Sequence, residues 1–230
     1  MVGVQLADVG AEQVADFNKL LQTTCTPGSY GDGGDPTYAN APMIQVLQAN
    51  GLNYDYYWYI NDGDDGTMRY DLTGWCDGLG NIVGAEALMN LSKGFWFKSA
   101  TAGTLTCAGQ VFAVDSFTRN VPAAQFEIVA NPYPVDLNLN APTTAGFTPG
   151  TYGDGGDPTY ANAPMIQVLQ ANGLNYDYYW YINDGDDGTM RYDLTGWCDG
   201  LGNIVNGTQV PVGQAFWIKS STAGTFTFGL

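Results

Sequence analysis

The residues with the clearest chemical potential are acidic and lie in two copies of one glycine-rich turn. Residues 61–66 read Asn-Asp-Gly-Asp-Asp-Gly, and the same six residues recur at 183–188. Calcium binds about six to eight oxygens, and carboxylates and turn carbonyls in one loop can supply them. The candidate calcium ligands are Asp62, Asp64, Asp65, Asp184, Asp186 and Asp187. The turn lacks the bidentate Glu that closes a standard calcium loop, so ordinary turn chemistry, with Asp bonded to the backbone, is the alternative.

Catalytic chemistry is restricted by the absence of histidine from the chain. Without it, Cys-His and Ser-His mechanisms and imidazole metal sites are excluded. Cys76 and Cys198 lie in identical Gly-Trp-Cys-Asp-Gly contexts and have no such base. Paired carboxylates could catalyse glycoside hydrolysis, but most Asp residues lie in Gly-rich turns that offer no pocket to raise a pKa. We therefore expect no enzymatic activity and name no catalytic residue.

The other two cysteines suggest a disulfide. Cys25 aligns with Phe147 and Cys107 aligns with Phe228, so both cysteines of the first half are replaced by phenylalanine in the second. This paired replacement predicts that the two positions touch. We predict a Cys25–Cys107 disulfide, with a Phe-Phe contact at the same place in the second half. Free buried thiols are the alternative.

The most aromatic segment, Leu52 to Ile60, is predicted to be a strand in which alternate side chains share a face. One side carries Tyr54, Tyr56 and Trp58, and the other carries Asp. We predict that the Asp-bearing side is exposed. The candidate ligand or interface face therefore consists of Asp55, Tyr57 and Tyr59, with Asp177, Tyr179 and Tyr181 in the second copy. Such a face could stack sugar rings or meet a neighbouring subunit, whereas Tyr pairs that only stabilise the sheet are the alternative.

A second strand carries a similar alternation. At residues 94–99, Phe95 and Phe97 are predicted to share one face, and Trp96 and Lys98 the other. The corresponding residues 215–220 read Ala-Phe-Trp-Ile-Lys-Ser.

The acidic turns and the aromatic strand belong to a long repeat. Residues 30–83 recur unchanged as residues 152–205, which gives 54 identical positions at an offset of 122. Each copy has eight Asp and one Arg, so the two copies carry −14 of the net charge of −16. They also contain 14 of the 15 Tyr, whereas all ten Phe lie outside them. The repeat is therefore a chemically distinct surface on a scaffold that has diverged.

The elements that must position these residues are predicted to be short strands joined by Gly, Asn and Asp turns. We expect an all-β fold of two tandem antiparallel β-sandwich or barrel-like domains related by internal duplication, residues 1–111 and 112–230. The first domain has no counterpart of the strands predicted at 111–128, so its N-terminal strand is predicted to be missing. Truncation explains this, and a strand added by another molecule is the alternative. A short helix is predicted over Glu12 to Leu21.

The net charge and the apolar pattern limit the partners. An acidic surface repels phosphate backbones and anionic lipids, so nucleic acid is excluded. No apolar run approaches the ~20 residues that span a bilayer, so membrane insertion is not expected. Calcium, polysaccharide and other copies of the chain remain.

Several short motifs resemble those of a bacterial group of proteins. These are residues 94–99 and 215–220, the Ala-Asn-Pro-Tyr-Pro-Val-Asp sequence at 130–136, and the Gly-Trp-Cys-Asp turn. They are similar to secreted, β-rich, two-unit proteins of Verrucomicrobia-type bacteria, a largely uncharacterised group. The resemblance implies export and β architecture and supplies no catalytic residues.

These observations predict a secreted structural protein, at the cell surface or outside the cell, that assembles with its own copies into a fibre or surface layer. A bivalent carbohydrate-binding or adhesion module is the alternative, since identical sites on two units would increase avidity.

Overall fold

The computed structural model describes residues 2–3, 14–16, 18, 21–30, 36–38, 40–61, 73–83, 88–90, 94–107, 115–152, 158–160, 162–183 and 195–229. The fold is all-β with antiparallel sheets, as predicted. The predicted helix over Glu12 to Leu21 is wrong at both of its described ends, because Val14–Asp16 and Leu21–Thr23 are strands. Asn18, the one described residue between these strands, has helical backbone. Within the described ranges, no helix is long and apolar enough to cross a membrane. The predicted domain boundary at 111/112 lies outside the described residues.

The strands are β1 (Val2–Gly3), β2 (Val14–Asp16), β3 (Leu21–Thr23), β4 (Ser29–Tyr30), β5 (Pro36–Thr37), β6 (Met43–Leu47), β7 (Tyr54–Asn61), β8 (Thr73–Cys76), β9 (Leu88–Asn90), β10 (Gly94–Lys98), β11 (Leu105–Cys107), β12 (Ser116–Val121), β13 (Phe126–Ala130), β14 (Thr143–Ala145), β15 (Thr151–Tyr152), β16 (Pro158–Thr159), β17 (Met165–Leu169), β18 (Tyr176–Asn183), β19 (Thr195–Cys198), β20 (Ala215–Lys219) and β21 (Gly224–Gly229).

Two five-stranded antiparallel sheets form the main architecture. The first sheet has the order β1-β10-β6-β7-β8, and the second sheet has the order β13-β20-β17-β18-β19. The identical sequences supply the last three strands of each sheet, and they pair in the same register, with Met43 opposite Trp58 and Met165 opposite Trp180. The hairpin turns match as well, since Gly51 and Gly173 have φ angles of 67° and 69°. Glycine adopts this left-handed backbone without a steric cost.

The second sheet packs against a three-stranded sheet of order β12-β21-β14, which makes this half β-sandwich-like. Alternation along the strands supplies the core, because Phe226 and Phe228 point inward while Thr227 between them is less buried. The buried cluster consists of Val121, Val129, Tyr133, Leu137, Leu139, Ile166, Val168, Trp197, Val210, Phe216, Ile218, Phe226 and Phe228. Each fully buried large apolar side chain contributes about 1.5–3 kcal/mol to folding.

The first sheet is covered by the β3–β11 pair. The buried cluster here consists of Leu21, Ile44, Val46, Trp75, Val83 and Phe95. Phe97 packs against the same cluster, whereas Trp96 packs against a different one on the opposite face of the sheet. The predicted alternation along residues 94–98 is therefore confirmed.

In each half, an asparagine side chain holds the backbone of one buried tryptophan in the same way. We call these two residues, Trp75 and Trp197, the central tryptophans. Asn18 Oδ1 accepts a hydrogen bond from Trp75 N at 2.8 Å, and Asn140 Oδ1 accepts one from Trp197 N at 2.7 Å. The amide nitrogens of these Asn side chains donate to the carbonyl oxygens of residues 83 and 205. We call each arrangement an asparagine clamp. The glycine before each Trp is required, because a Cβ on Gly74 would lie 2.7 Å from Asn18 Oδ1.

The two five-stranded sheets contact each other through their outer faces. This inter-sheet cluster contains Leu47, Ile128, Ala130, Ala215 and Trp217, with Tyr54, Trp96, Phe126 and Tyr176 packed against it. The ring centres of Trp96 and Trp217 are 6.4 Å apart. These two tryptophans occupy equivalent positions in the β10 and β20 strands, so the cluster brings like residues together.

One edge of each five-stranded sheet is formed by β1 or β13. β13 pairs with β20 along five residues, from Phe126 opposite Lys219 to Ala130 opposite Ala215. In the part of the chain that the structure describes, β1 pairs with β10 through Val2 and Gly3. The second half also contains an ion pair between its two sheets, in which Arg119 of β12 bonds to Glu127 of β13. Both side chains are largely buried, so this pair is part of the interior of the second half.

Candidate binding surface

The face that the sequence predicted as exposed lies against the core, and the prediction was wrong in this respect. Tyr57 and Tyr59 pack against the buried cluster of the first half. The cause lies in the neighbouring strand, where Ile44 is completely buried and lies directly opposite Tyr57. Side chains opposite each other in antiparallel strands share a face. Burial accordingly raises the pKa of Tyr57.

The second copy behaves in the same way. Tyr179 and Tyr181 pack against the core of the second half, and burial raises the pKa of Tyr179. Asp55 and Asp177 are exposed near the start of their strands, where each carboxylate accepts a hydrogen bond of 2.6 Å from a Gln side chain. These six residues therefore do not form an exposed aromatic strip.

The outer face of the first sheet instead carries a row of stacked rings. Trp58 stacks on Tyr38 with ring centres 4.5 Å apart and planes inclined by 17°. On the same strand, Tyr56 stacks with Trp58 at 6.0 Å and 20°. Tyr56 is 43% exposed, while the other two rings are half-buried. We call Tyr38, Trp58 and Tyr56 the first aromatic row.

The second sheet carries the same arrangement. Tyr160 and Trp180 stack at 4.6 Å and 16°, and Tyr178 and Trp180 stack at 6.1 Å and 22°. Tyr178 is 44% exposed. We call Tyr160, Trp180 and Tyr178 the second aromatic row.

A turn at the end of each row holds its first tyrosine in place. The Tyr38 hydroxyl donates to the carbonyl of Asp77 at 3.0 Å. The Asp77 carboxylate in turn accepts backbone hydrogen bonds from Leu79 and Asn81 at 2.9 and 3.0 Å. Burial opposes ionisation of this carboxyl, but the hydrogen bonds from Asn81 and the turn backbone outweigh it and lower its pKa. This aspartate therefore stabilises its own turn by accepting hydrogen bonds from the turn backbone.

The cysteines beside the rows are poor nucleophiles. Cys76 lies opposite Trp58, is completely buried and has Sγ 3.9 Å from the Tyr38 hydroxyl. Burial raises its pKa to about 11. Cys198 has the same surroundings in the second half, and its pKa is raised for the same reason. A thiol that stays protonated at neutral pH does not act as a nucleophile.

An open pocket of about 400 Å³ borders the second aromatic row. Its apolar side is formed by Tyr160, Trp180 and Met165, and its polar side by Asn162, Lys219 and Ser221. Lys219 lies opposite Met165, which in turn lies opposite Trp180, so the three side chains follow one line across the outer face. The Lys219 ammonium lies 5.0 Å from the centre of the Phe126 ring. Such a cation–π contact favours a fixed position for the ammonium at the rim of the pocket.

The predicted calcium ligands, Asp62, Asp64, Asp65, Asp184, Asp186 and Asp187, lie outside the described residues, so calcium binding stays a prediction. In the parts of the chain that are described, no three His, Cys, Asp or Glu side chains are grouped so as to hold a metal ion.

The predicted Cys25–Cys107 disulfide is not formed, because Cys25 is a free, buried thiol. The register places Cys107 opposite Leu21, four residues before Cys25. Cys25 instead lies beside Gly103, where a Cβ would come within 2.7 Å of Sγ. Phe147 takes the same place beside Gly224, and its ring centre lies 5.9 Å from that of Phe226. The Cys-to-Phe replacements therefore do not reflect a disulfide: Cys25 and Phe147 each pack over a glycine.

No protein-family model, no curated protein and no solved structure matches this chain. The resemblance to secreted proteins of Verrucomicrobia-type bacteria stays an expectation from short motifs.

Sequence reasoning missed the aromatic rows, because it placed Trp58 on the core side of its strand and did not consider Tyr38. A usable signal was present in β6. Its alternating Ile44 and Val46 mark the inward face, and strand pairing then directs Tyr56 and Trp58 outward. The sequence placed Lys219 on a strand with alternating side chains and gave no sign that it lies at the rim of a pocket.

Proposed function

We propose that the protein is an extracellular carbohydrate-binding protein of two tandem β-sandwich-like units, residues 1–111 and 112–230, that binds a neutral polysaccharide at its two aromatic rows. The observation that carries the proposal is the second aromatic row beside an open pocket with polar groups at its rim. The identical strands, turns and rows of the two halves support an origin by internal duplication.

The chemistry of the pocket supports a sugar. The apolar face of a pyranose ring stacks on aromatic side chains, and its hydroxyls need hydrogen-bond partners at the edge. Trp180 and Tyr160 supply the rings, while Asn162, Lys219 and Ser221 supply polar groups. The volume of about 400 Å³ falls within the range of small-molecule sites, about 300–1,000 Å³.

The net charge of −16 argues for a neutral ligand, because an acidic protein repels polyanions over its whole surface. Two rows on one chain would also allow bivalent attachment to a long polymer. Simultaneous engagement can raise the apparent affinity by roughly 10²-fold over one row.

Affinity electrophoresis of the full chain tests this proposal, with native gels that contain a soluble β-glucan, a galactomannan, a xylan or an α-glucan. The wild-type protein should be retarded in at least one gel. Trp58→Ala and Trp180→Ala together should abolish the retardation, since each removes the central ring of a row. Leu79→Ala with Leu201→Ala is the matched control, because these exposed leucines lie in the same identical sequences but outside the rows. Unretarded wild-type protein in all four gels would contradict the proposal.

A second candidate function is self-assembly into an extracellular fibre or surface layer. Four exposed leucines favour it, two in each of the identical sequences. They lie in turns and are each at least 80% exposed: Leu52, Leu79, Leu174 and Leu201. Apolar side chains at such tips can insert into a neighbouring copy.

Sedimentation velocity and electron microscopy at increasing concentration test self-assembly. Larger species should form in the wild type and disappear when the four leucines are replaced by serine. If the wild type stays monodisperse at the highest concentration, the assembly proposal fails.

A further inference from the structure

We propose that Asn206–Gly207 is a site of spontaneous deamidation, and that the two Asn-Gly turns in the identical sequences are protected from the same reaction by their hydrogen bonds. The modification needs water and no enzyme, and it is independent of the proposed carbohydrate binding.

An asparagine that precedes a glycine can react with its own backbone. The glycine nitrogen attacks the asparagine side-chain carbon Cγ, the Cγ–Nδ2 bond breaks, and the side-chain nitrogen leaves as ammonia with the proton of the glycine N–H. Water then opens the resulting succinimide ring to aspartate or isoaspartate. Glycine favours the attack because it has no Cβ to hinder the approach and its backbone is unrestricted. The chain contains three Asn-Gly dipeptides, at 50–51, 172–173 and 206–207.

The turn at 50–51 holds both reacting groups. Asn50 Oδ1 accepts hydrogen bonds from the backbone N–H groups of Leu52 and Asn53, at 2.9 and 3.1 Å. The Gly51 N–H, which must lose its proton, donates to the Gln48 carbonyl at 2.9 Å. The side chain cannot turn towards the glycine nitrogen unless these bonds break, so local opening of the turn must precede the attack.

The turn at 172–173 has the same hydrogen bonds. Asn172 Oδ1 accepts from the backbone N–H groups of Leu174 and Asn175 at 2.8 and 3.1 Å, and the Gly173 N–H donates to the Gln170 carbonyl at 2.9 Å. Asn172 and Gly173 are both exposed. Access to water is therefore not what distinguishes this turn from residues 206–207.

The Asn206 side chain is held by much less. It is exposed, and its Nδ2 donates one hydrogen bond to the Ile204 carbonyl at 3.4 Å, beyond the usual limit of about 3.2 Å. Among the described residues, no group donates to Asn206 Oδ1 and none accepts from the Gly207 N–H. The Asn206 carbonyl accepts from Gln209 Nε2 at 3.0 Å, but this bond restrains neither of the two reacting groups. The attack at this site needs no opening of a turn.

The test compares the three asparagines within one full-length chain. The wild-type protein is incubated in mildly alkaline buffer, once folded and once in urea, and peptide mapping by mass spectrometry gives a deamidation rate for each site. Folding should slow the reaction at Asn50 and Asn172 by about tenfold or more, because the turn must first open. Asn206 should keep its unfolded rate within about threefold. Equal slowing at the three sites overturns the inference.

Asn206→Gln supplies a second measurement. Each deamidation adds one negative charge to the net charge of −16, so ion-exchange chromatography separates the product. Glutamine would have to form a six-membered ring, which closes far more slowly, so the first acidic species to form in the folded wild type should be absent from this variant. Asn172→Gln is the matched control and should leave that species unchanged. An acidic species that persists in Asn206→Gln and disappears in Asn172→Gln would also overturn the inference.

Discussion

The same 54-residue sequence meets two different sets of neighbours in this chain, and its central tryptophan shows the difference best. In the first half, Trp75 Nε1 donates to the Leu21 carbonyl at 3.1 Å. In the second half, Trp197 Nε1 is buried without a hydrogen-bond partner in the described part of the chain, and its ring stacks on Phe226 at 5.6 Å. The sequence of the segment determines strand register and turns, whereas the surrounding strands determine what its buried groups contact.

The largest expected effect concerns the Arg119–Glu127 pair of the second half, which is the one ion pair among the residues that the structure describes. Arg119→Met should leave the buried Glu127 without its cation and destabilise the protein by about 3–5 kcal/mol. The loss should appear in urea unfolding as an earlier transition of the second half alone.

Asn120→Ala, on the exposed side of the same strand, is the control for the ion pair and should be nearly neutral. Adding Glu127→Leu to Arg119→Met should recover most of the lost stability, because the uncompensated charge is removed. No recovery would show that the pair matters through packing and not through charge.

The asparagine clamps should behave alike in the two halves, because their geometry is nearly the same. Asn18→Ala and Asn140→Ala each leave a Trp N–H and a carbonyl without the side-chain partner. We expect each to lower the free energy of unfolding by about 1–3 kcal/mol. Asn206→Ala, at an exposed position, is the control. Losses that differ by more than 1 kcal/mol or so between the halves would mean that the clamps are not equivalent.

Replacing each central tryptophan should reveal the difference between the halves directly. Trp75→Phe loses a hydrogen bond to Leu21, whereas Trp197→Phe removes a buried donor that has no described partner. The loss of volume is the same in both. Trp75→Phe should therefore be the more destabilising by about 1–2 kcal/mol in chemical denaturation. Equal effects would indicate that Trp197 is satisfied by water.

The smallest expected effect concerns the buried thiols. The pKa of Cys76 is about 11 in the folded protein against 9.0 for a free thiol, so the folded state retains the proton more strongly. Its contribution to stability should be complete below pH 9 and be lost as the pH rises through 11. In a Cys76→Ala variant, the free energy of unfolding should decrease less between pH 9 and pH 11 than in the wild type.

The three buried thiols, Cys25, Cys76 and Cys198, should also be inert to chemical modification. A thiol reagent at pH 8 should label these three residues slowly in the native protein, with or without reductant, and rapidly after unfolding. Peptide mapping assigns the label, and fast labelling of Cys25, Cys76 or Cys198 in the native protein would contradict their burial.

Local pattern was enough to predict the all-β fold and the two faces of β10, where Phe95 and Phe97 alternate with Trp96 and Lys98. Local pattern was not enough for β7. Alternation shows which side chains share a face of the strand, but it does not show which of the two faces is buried against the core. That information came from Ile44 and Val46 in the adjacent strand. The predicted disulfide failed for a related reason: two positions that change together need not touch, and Cys25 meets Gly103.

Matching short motifs upstream of the identical sequences gives a misleading result. The sequence matches the Asp-Phe-Asn of residues 16–18 with the Asp-Leu-Asn of residues 136–138, which would make Asn138 the counterpart of Asn18. The hydrogen bonds to the central tryptophans identify Asn140 as the counterpart instead. The offset of 122 between the identical sequences also leads from Asn18 to Asn140, so the constant spacing of the repeat locates the counterpart where the three-residue motif does not.

The inter-sheet cluster has a consequence for how this chain can change over generations. Trp96 and Trp217 meet there, and Tyr54 and Tyr176, which hold the same position in the identical sequences, both pack against it. The two tryptophans lie outside the identical sequences, so a mutation in one copy changes only one of the two tyrosines, whereas recombination that copies it into the other segment changes both. Exchange between the copies therefore keeps the two tyrosines of this cluster matched, and drift in one copy alone does not.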